Sequence, residues 1–358
     1  MKNYNITELV GNTPIVKIRD PLFNNGNIFL KFEKFNCSGS IKDRTAKYII
    51  DKAEESGILH KDSTILESSS GNFGIALAMI GAAKGYKVKI VIDPKITPVN
   101  KSLLLAYGAE LITVTKPDPS GSYQKTRLEL VKKLAGEDKN VFVPNQAFSY
   151  MNSDAHYELT GKEIINDFNN LGIDLDAVIV TTGTCGTIGG VSKYVKEYDE
   201  SIKIIGVDAK GSGIFGKETH PFLVQGLGLG WTPRNLLSPH NIDLVYKVND
   251  HYAFSMCHFL ARNEGILLGA SGGAAVFAGM SYIRDNKDVK NIAVVVADAG
   301  DRYVDTIYNN EWLIEKGVTI AQGKGEIKEL FNSFSFYTND VPSCVNYRID
   351  WEKDMEPT

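Results

Sequence analysis

Ala177-Val178-Ile179-Val180-Thr181-Thr182-Gly183-Thr184-Cys185-Gly186-Thr187-Ile188-Gly189-Gly190 reads as an apolar run, a glycine-rich turn and the opening of a helical pattern, in that order. Four consecutive apolar, mostly β-branched residues without polar alternation suit a strand covered on both faces, the usual state of a parallel sheet between helices. Ile292 to Ala297, Ile-Ala-Val-Val-Val-Ala, reads the same way. Working outward, short β-rich runs alternate with helical lengths: Thr64 to Leu66 before Gly74 to Lys84, then Lys87 to Ile92, and Ile204 to Asp208 after the helix expected over Ile188 to Glu197. That alternation predicts an α/β fold with mostly parallel strands.

The chain has 358 residues, 43% of them hydrophobic, and a formal net charge of −4, which suits a globular protein of about two domains. Its apolar runs are of strand length, and Met1-Lys2-Asn3-Tyr4-Asn5 lacks the apolar centre of a secretory signal. The expectation is a cytoplasmic protein with no membrane partner. Cys37, Cys185, Cys257 and Cys344 have no paired spacing and the six histidines form no His-x-x-x-His pair, so neither a disulfide framework nor a metal site is signalled. Lysine and arginine are scattered and number 39 against 43 acidic residues, which argues against a nucleic-acid groove. An enzyme acting on small molecules is the class left standing.

Four stretches carry chemistry. Lys42 lies between the small-residue turn Asn36 to Ser40 and a helical pattern, where the positive end of the helix dipole disfavours an ammonium and favours the neutral amine needed for Schiff-base formation. Gly183 to Thr187 follows a buried-type strand and opens a helix, so its N–H groups can converge on a phosphate; the same sequence is also an ordinary tight turn. Glu67-Ser68-Ser69-Ser70-Gly71-Asn72-Phe73-Gly74 offers hydroxyls and amides at a second helix start, as a carboxylate site or as a plain serine cap. Gly269-Ala270-Ser271-Gly272-Gly273 matches a Gly-x-Ser-x-Gly elbow in form, but the last histidine is His258, whereas in hydrolases of that type an acid and then a histidine follow the serine. Ser271 therefore reads as a hydrogen-bonding serine on a turn that lets a planar ligand approach. Together these describe a pyridoxal-phosphate site.

Gly11-Asn12-Thr13-Pro14, Gly39 to Arg44, Ser70 to Gly74, Asn145-Gln146, the 183 to 187 cup, Gln225-Gly226-Leu227-Gly228, Ser271 to Ala274 and Gly300 to Tyr303 occur in the order found in the cysteine synthase and cystathionine β-synthase family, which this chain resembles over residues 6 to 316. The resemblance implies fold type II of the pyridoxal 5'-phosphate enzymes: an α/β, tryptophan synthase β-like pair of three-layer domains. Residues 1–45 with 147–320 would form a large cofactor domain, residues 46–146 a small mobile domain, and two chains a homodimer. Carried over by motif, Lys42 would be the Schiff-base lysine and acid/base, and Asn72 would contact the cofactor's 3′-oxygen. Gly183, Thr184, Cys185, Gly186 and Thr187 would hold its phosphate, and Ser271 would face the pyridine nitrogen. Ser69, Ser70, Asn72 and Gln146 would bind the substrate carboxylate, with Gly228 beside them.

A serine at the pyridine nitrogen weakens the electron sink and suits β-elimination followed by addition of a nucleophile. Ile92 to Pro98, Val207 to Ser212, Asp301 to Tyr303 and Trp312 resemble a siderophore-pathway branch of the family that joins O-phospho-L-serine to L-glutamate. Arg127 matches that branch too, as a reader of an anionic substrate group or as a solvated helix arginine. Gly183 is the cysteine-synthase choice, and Ala147 stands where the branch has tyrosine. Sulfide as nucleophile, release of sulfide from cysteine, and a non-catalytic scaffold are the alternatives. Cys185, where a glycine is usual, reads as a small buried hydrophobe. The segment 321–358 is outside the resemblance; Phe331, Phe334, Phe336, Tyr337, Tyr347 and Trp351 predict a packed extension.

Overall fold

The computed structural model describes residues 5–20, 22, 26–119, 121–216, 219–236, 238–335, 337, 338 and 341. The strands are β1 Ile15–Lys17, β2 Asn27–Phe32, β3 Thr64–Ser68, β4 Lys87–Ile92, β5 Glu110–Thr113, β6 Val141–Phe142, β7 Ala177–Thr181, β8 Lys203–Ala209, β9 Leu244–Val248, β10 Asn291–Val296 and β11 Tyr337–Thr338. The helices are α1 Lys42–Glu55, α2 Asn72–Lys84, α3 Pro98–Ala106, α4 Gln124–Glu137, α5 Met151–Ala155, α6 Lys162–Leu171, α7 Gly186–Tyr198, α8 Asp250–Glu264, α9 Ala270–Asp285, α10 Asn310–Glu315 and α11 Lys324–Ser333. They divide into two compact units. One is built on Asn36–Asn152, and the other on Asn12–Phe35 with the chain from Ser153.

In the first unit β5-β4-β3-β6 form an all-parallel sheet. Its central helix, α2, is buried from Phe73 to Gly81, which explains why its sequence is apolar on every side. Ile65, Ile75, Ile80 and Ile90, none of them exposed, pack in one cluster with Ile50 of α1. Burying a branched aliphatic side chain of this size contributes about 1.5–3 kcal/mol, so strands and helices hold each other rather than standing on propensity.

In the second unit the sheet order is β1-β2-β10-β7-β8-β9-β11. The pairs from β2 through β10, β7 and β8 to β9 are parallel, while β1 and β11 are antiparallel edges. Residues 177–180 of β7 and Ile292 to Val294 of β10 have no exposure, as the apolar runs predict for a sheet covered on both faces. Two units on mostly parallel α/β sheets are the architecture that the resemblance implied.

The described part of the extension is packed. Phe331 and Phe334 belong to the core of the second unit. The ring of Phe334 sits 5.0 Å from that of Phe277, 5.1 Å from Tyr252 and 5.7 Å from Tyr246. Arg284 donates to the carbonyls of Phe331 and Phe334, the latter at 2.9 Å. Beyond it β11 adds to β9, with Tyr337 opposite Tyr246. Cys344, Phe336, Tyr347 and Trp351 lie outside the described residues. Among the described residues no helix is long and apolar enough to cross a membrane, and no three histidine, cysteine or acidic side chains cluster as metal ligands.

Candidate active site

Lys42 is the first residue of α1. The turn before it is set by Gly39, whose φ of +89° favours glycine, and by Asp43, a buried carboxylate that accepts from the Ser38 N–H at 2.5 Å and from the Ser38 hydroxyl. A carboxylate in the first turn of a helix also complements its dipole. The Lys42 N–H reaches Ser40 Oγ at 3.3 Å. The lysine therefore stands on a turn locked from both sides, at a helix start.

In the same unit β3 runs into α2 through Ser69, Ser70 and Gly71. Ser69 Oγ accepts from Gly74 N at 2.9 Å and Gly71 N at 3.5 Å, so it caps the start of α2. Asn72 is the first residue of the helix. Gln146 comes to the same strand end: its N–H donates to Glu67 Oε2 at 3.3 Å, and its carbonyl accepts from Asn152 Nδ2 at 3.0 Å.

Arg127 is on α4 with 15% of its side chain exposed, too little for a solvated helix arginine. Its Nη1 donates to Ser70 Oγ at 2.7 Å and pairs with Asp93 Oδ2 at 3.1 Å, and Ser70 Oγ is 3.4 Å from the same carboxylate. Asn100 Nδ2 donates to the Ser70 carbonyl at 3.1 Å, so Ser70 is fixed at both backbone and side chain. Desolvation lowers the Arg127 pKa, while Asp93 and Glu67 oppose that shift. Glu67 is buried, and desolvation pushes its carboxyl up to about 7 against hydrogen bonds from Ser68, Gln146 and Asn145 and the charge of Arg127.

In the second unit β7 delivers the cup. Cys185 is the N-cap of α7 in the left-handed region, φ +59°, and its side chain is buried in the core. A Cβ added to Gly183 would lie 3.4 Å from the Gly226 carbonyl, and one added to Gly226 would lie 3.7 Å from Ser271 Oγ. The Gly228 N–H donates to Thr182 O at 2.7 Å, which ties the Gln225 to Gly228 loop to the end of β7. Ser271 is in the first turn of α9, 3% exposed. Behind it, a Cβ on Gly269 would fall 2.0 Å from Asp298 Oδ1, so that turn must be glycine.

This set fits pyridoxal phosphate. The first turn of α7 holds no acidic residue to repel a phosphate, and Thr184 and Thr187 add hydroxyls to the helix N–H groups. The small residues Gly183 and Gly226 leave the approach to the Ser271 hydroxyl open. Within each unit, then, the structure groups what the motifs named: Ser69, Ser70, Asn72, Gln146 and Arg127 about the end of β3 in one, and residues 183–187, Gly228 and Ser271 about the end of β7 in the other. Sequence reasoning assigned no role to Glu67, Asp93 or His156. For Glu67 and Asp93 the only local signal was a carboxylate just after an expected strand.

Residues 6–298 match the pyridoxal-phosphate dependent enzyme family, and the chain belongs to it. It is a pyridoxal-phosphate enzyme. It is similar to a hydrogen sulfide-producing enzyme of Fusobacterium nucleatum at 36% identity over 85% of this chain and 98% of that one, with a TM-score of 0.78. It is also similar to cysteine synthase of Entamoeba histolytica, at 31% identity over 94% and 97% of the two chains with a TM-score of 0.83. The corresponding values for O-ureido-L-serine synthase are 28%, 92%, 100% and 0.81.

Proposed function

We propose that this enzyme carries out β-replacement on an L-serine activated at its hydroxyl, as O-phospho-L-serine or O-acetyl-L-serine. The observation that carries this reading is the Ser271 hydroxyl beside Gly226 and the cup, where a carboxylate would hold the ring nitrogen protonated. Pyridoxal phosphate supplies an electron sink for charge developing at the substrate α-carbon; with a hydroxyl partner that sink is shallow and loss of the β-substituent is favoured. Lys42 Nζ binds the cofactor and carries the α-proton. Ser69, Ser70, Asn72 and Gln146 orient the substrate carboxylate, and Gly183 to Thr187 hold the phosphate. Gly228 lines the same loop edge, and residues 46–146 are the part that closes on substrate.

For the nucleophile we propose an amino acid amine, L-glutamate, which would make the chain an N-(2-amino-2-carboxyethyl)-L-glutamate synthase of a siderophore-type pathway. Its support is the resemblance of residues 92–98, 207–212 and 301–303, with Trp312 and Arg127, to the branch that uses glutamate. The similarity to cysteine synthase and to a sulfide-producing enzyme favours a second reading, in which sulfide is added or released. A panel of glutamate, sulfide and cysteine against both serine esters, read by mass spectrometry, separates them. Product with glutamate supports the first, cysteine formed from sulfide or sulfide released from cysteine supports the second, and the absence of both a β-substituted product and released sulfide sinks both. Two chains form the working unit in this reading, which sedimentation of the holoenzyme checks.

A further inference from the structure

His156 stands against the cup, inside the second unit. It is fully buried and opens a π-helical turn, His156–Gly161, between α5 and α6. Its Nδ1 is 2.9 Å from Thr160 Oγ1, and its Nε2 is 3.3 Å from the hydroxyl oxygen of Thr187, the last cup residue. The turn is pressed onto α7. A Cβ on Gly190 would fall 2.1 Å from the Ser153 carbonyl, 2.5 Å from Tyr157 N and 2.8 Å from His156 Cβ, so only glycine allows this approach. A single π turn within an α-helical run is rare and costs hydrogen-bond geometry, and such turns concentrate at functional sites.

A neutral imidazole has one donor and one acceptor nitrogen, and each threonine hydroxyl can play either part. In one arrangement Thr187 donates to Nε2, its hydrogen is spent inward, and an oxygen lone pair faces the cup. In the other, Thr160 donates to Nδ1 and Nε2–H donates to Thr187 Oγ1, which leaves the Thr187 hydrogen pointing outward. A phosphate is an acceptor only, so an anion in the cup selects the second arrangement.

We propose that His156 is a positioning residue of the phosphate cup, donating from Nε2 so that the Thr187 hydroxyl donates to the cofactor's phosphate. This rests on the assignment of residues 183–187 as the cup.

The test uses purified protein stripped of and reconstituted with pyridoxal phosphate, read by the cofactor's dissociation constant and the ³¹P resonance of bound phosphate. His156→Asn keeps a group near Thr160 but has none at the Nε2 position. His156→Gln places an amide N–H there, and Thr187→Val removes the hydroxyl at constant shape. His156→Asn and Thr187→Val should each weaken binding about tenfold, the usual scale for a hydrogen bond to a charged group, and move the ³¹P signal. His156→Gln should stay within about twofold of wild type, and His156→Asn should add nothing in the Thr187→Val background.

Wild-type affinity and ³¹P shift in His156→Asn, or an equal loss in both backgrounds, would overturn the proposal. If His156→Asn does not fold, Thr160→Val takes its place, with a shifted ³¹P signal expected and an unmoved one decisive against the relay. A wild-type chain that takes up no cofactor overturns the functional reading itself; equal uptake by wild type and variant overturns only the role of His156.

Discussion

At Glu67, burial and hydrogen bonding pull in opposite directions, and burial wins. A carboxyl whose pKa is raised on folding, here from 4.5 to about 7, holds its proton more tightly in the folded chain. The stability it contributes is full below about 4.5 and is lost as pH climbs through about 7. Wild-type stability should fall relative to Glu67→Gln across that window by about 3 kcal/mol, measured by urea unfolding at a series of pH values; parallel curves would place the titration elsewhere. For Arg127→Ala, the buried Asp93 carboxylate loses its ion-pair partner, at a cost of about 2–3 kcal/mol after allowing for partial exposure. Because a guanidinium reads phosphate better than an acetyl group, KM should rise more for O-phospho-L-serine than for O-acetyl-L-serine. An equal rise would mean that Arg127 acts only through Ser70. Lys42→Ala should abolish turnover while the unfolding midpoint stays near wild type, since Asp43 and Gly39 hold the turn without it.

Between elements, glycine decides how close a helix comes to its neighbour. Along α7, Gly189 and Gly190 admit the Asn235 carbonyl and the Ser153 carbonyl of α5, where added Cβ atoms would sit at 2.3 Å and 2.1 Å from those oxygens. Backbone cannot swing aside as a side chain can. Gly190→Ala should therefore cost more than about 2 kcal/mol in chemical denaturation and weaken cofactor binding, because α7 carries the cup at its start. A stable variant with wild-type cofactor affinity would show that the α7 packing has slack to give. The same closeness recurs between α8 and α9, where a Cβ on Gly273 would meet the Ala253 carbonyl at 2.3 Å.

For the whole molecule, the described part of the extension belongs to the core of the second unit. Removing residues 321–358 would strip Phe331 and Phe334 from the main cluster and leave β9 as a bare sheet edge. A single buried phenylalanine lost from a core costs about 3–5 kcal/mol, so the truncated chain should unfold at clearly lower denaturant and tend to self-associate through the exposed strand. Unchanged stability and size by light scattering would show that the second unit holds without its extension.

Much of this was legible in the sequence because it is local. β7 and β10 show in runs of apolar residues, α2 in an all-apolar helical length, the cup in glycines after a strand, and Lys42 in a small-residue turn before a helix. Each is written within about twenty neighbouring positions by periodicity or by the needs of a turn. What lies far apart along the chain could not be read that way. Arg127 meets Ser70 from 57 residues away, Thr187 meets His156 from 31, and Arg284 meets the Phe334 carbonyl from 50. The charge state of Glu67 depends on burial by several elements at once. Local pattern determined the fold class and the motifs; which side chains share one another's charges and hydrogen bonds was decided only when the sheets closed, because those energies depend on distance in space and on the exclusion of water.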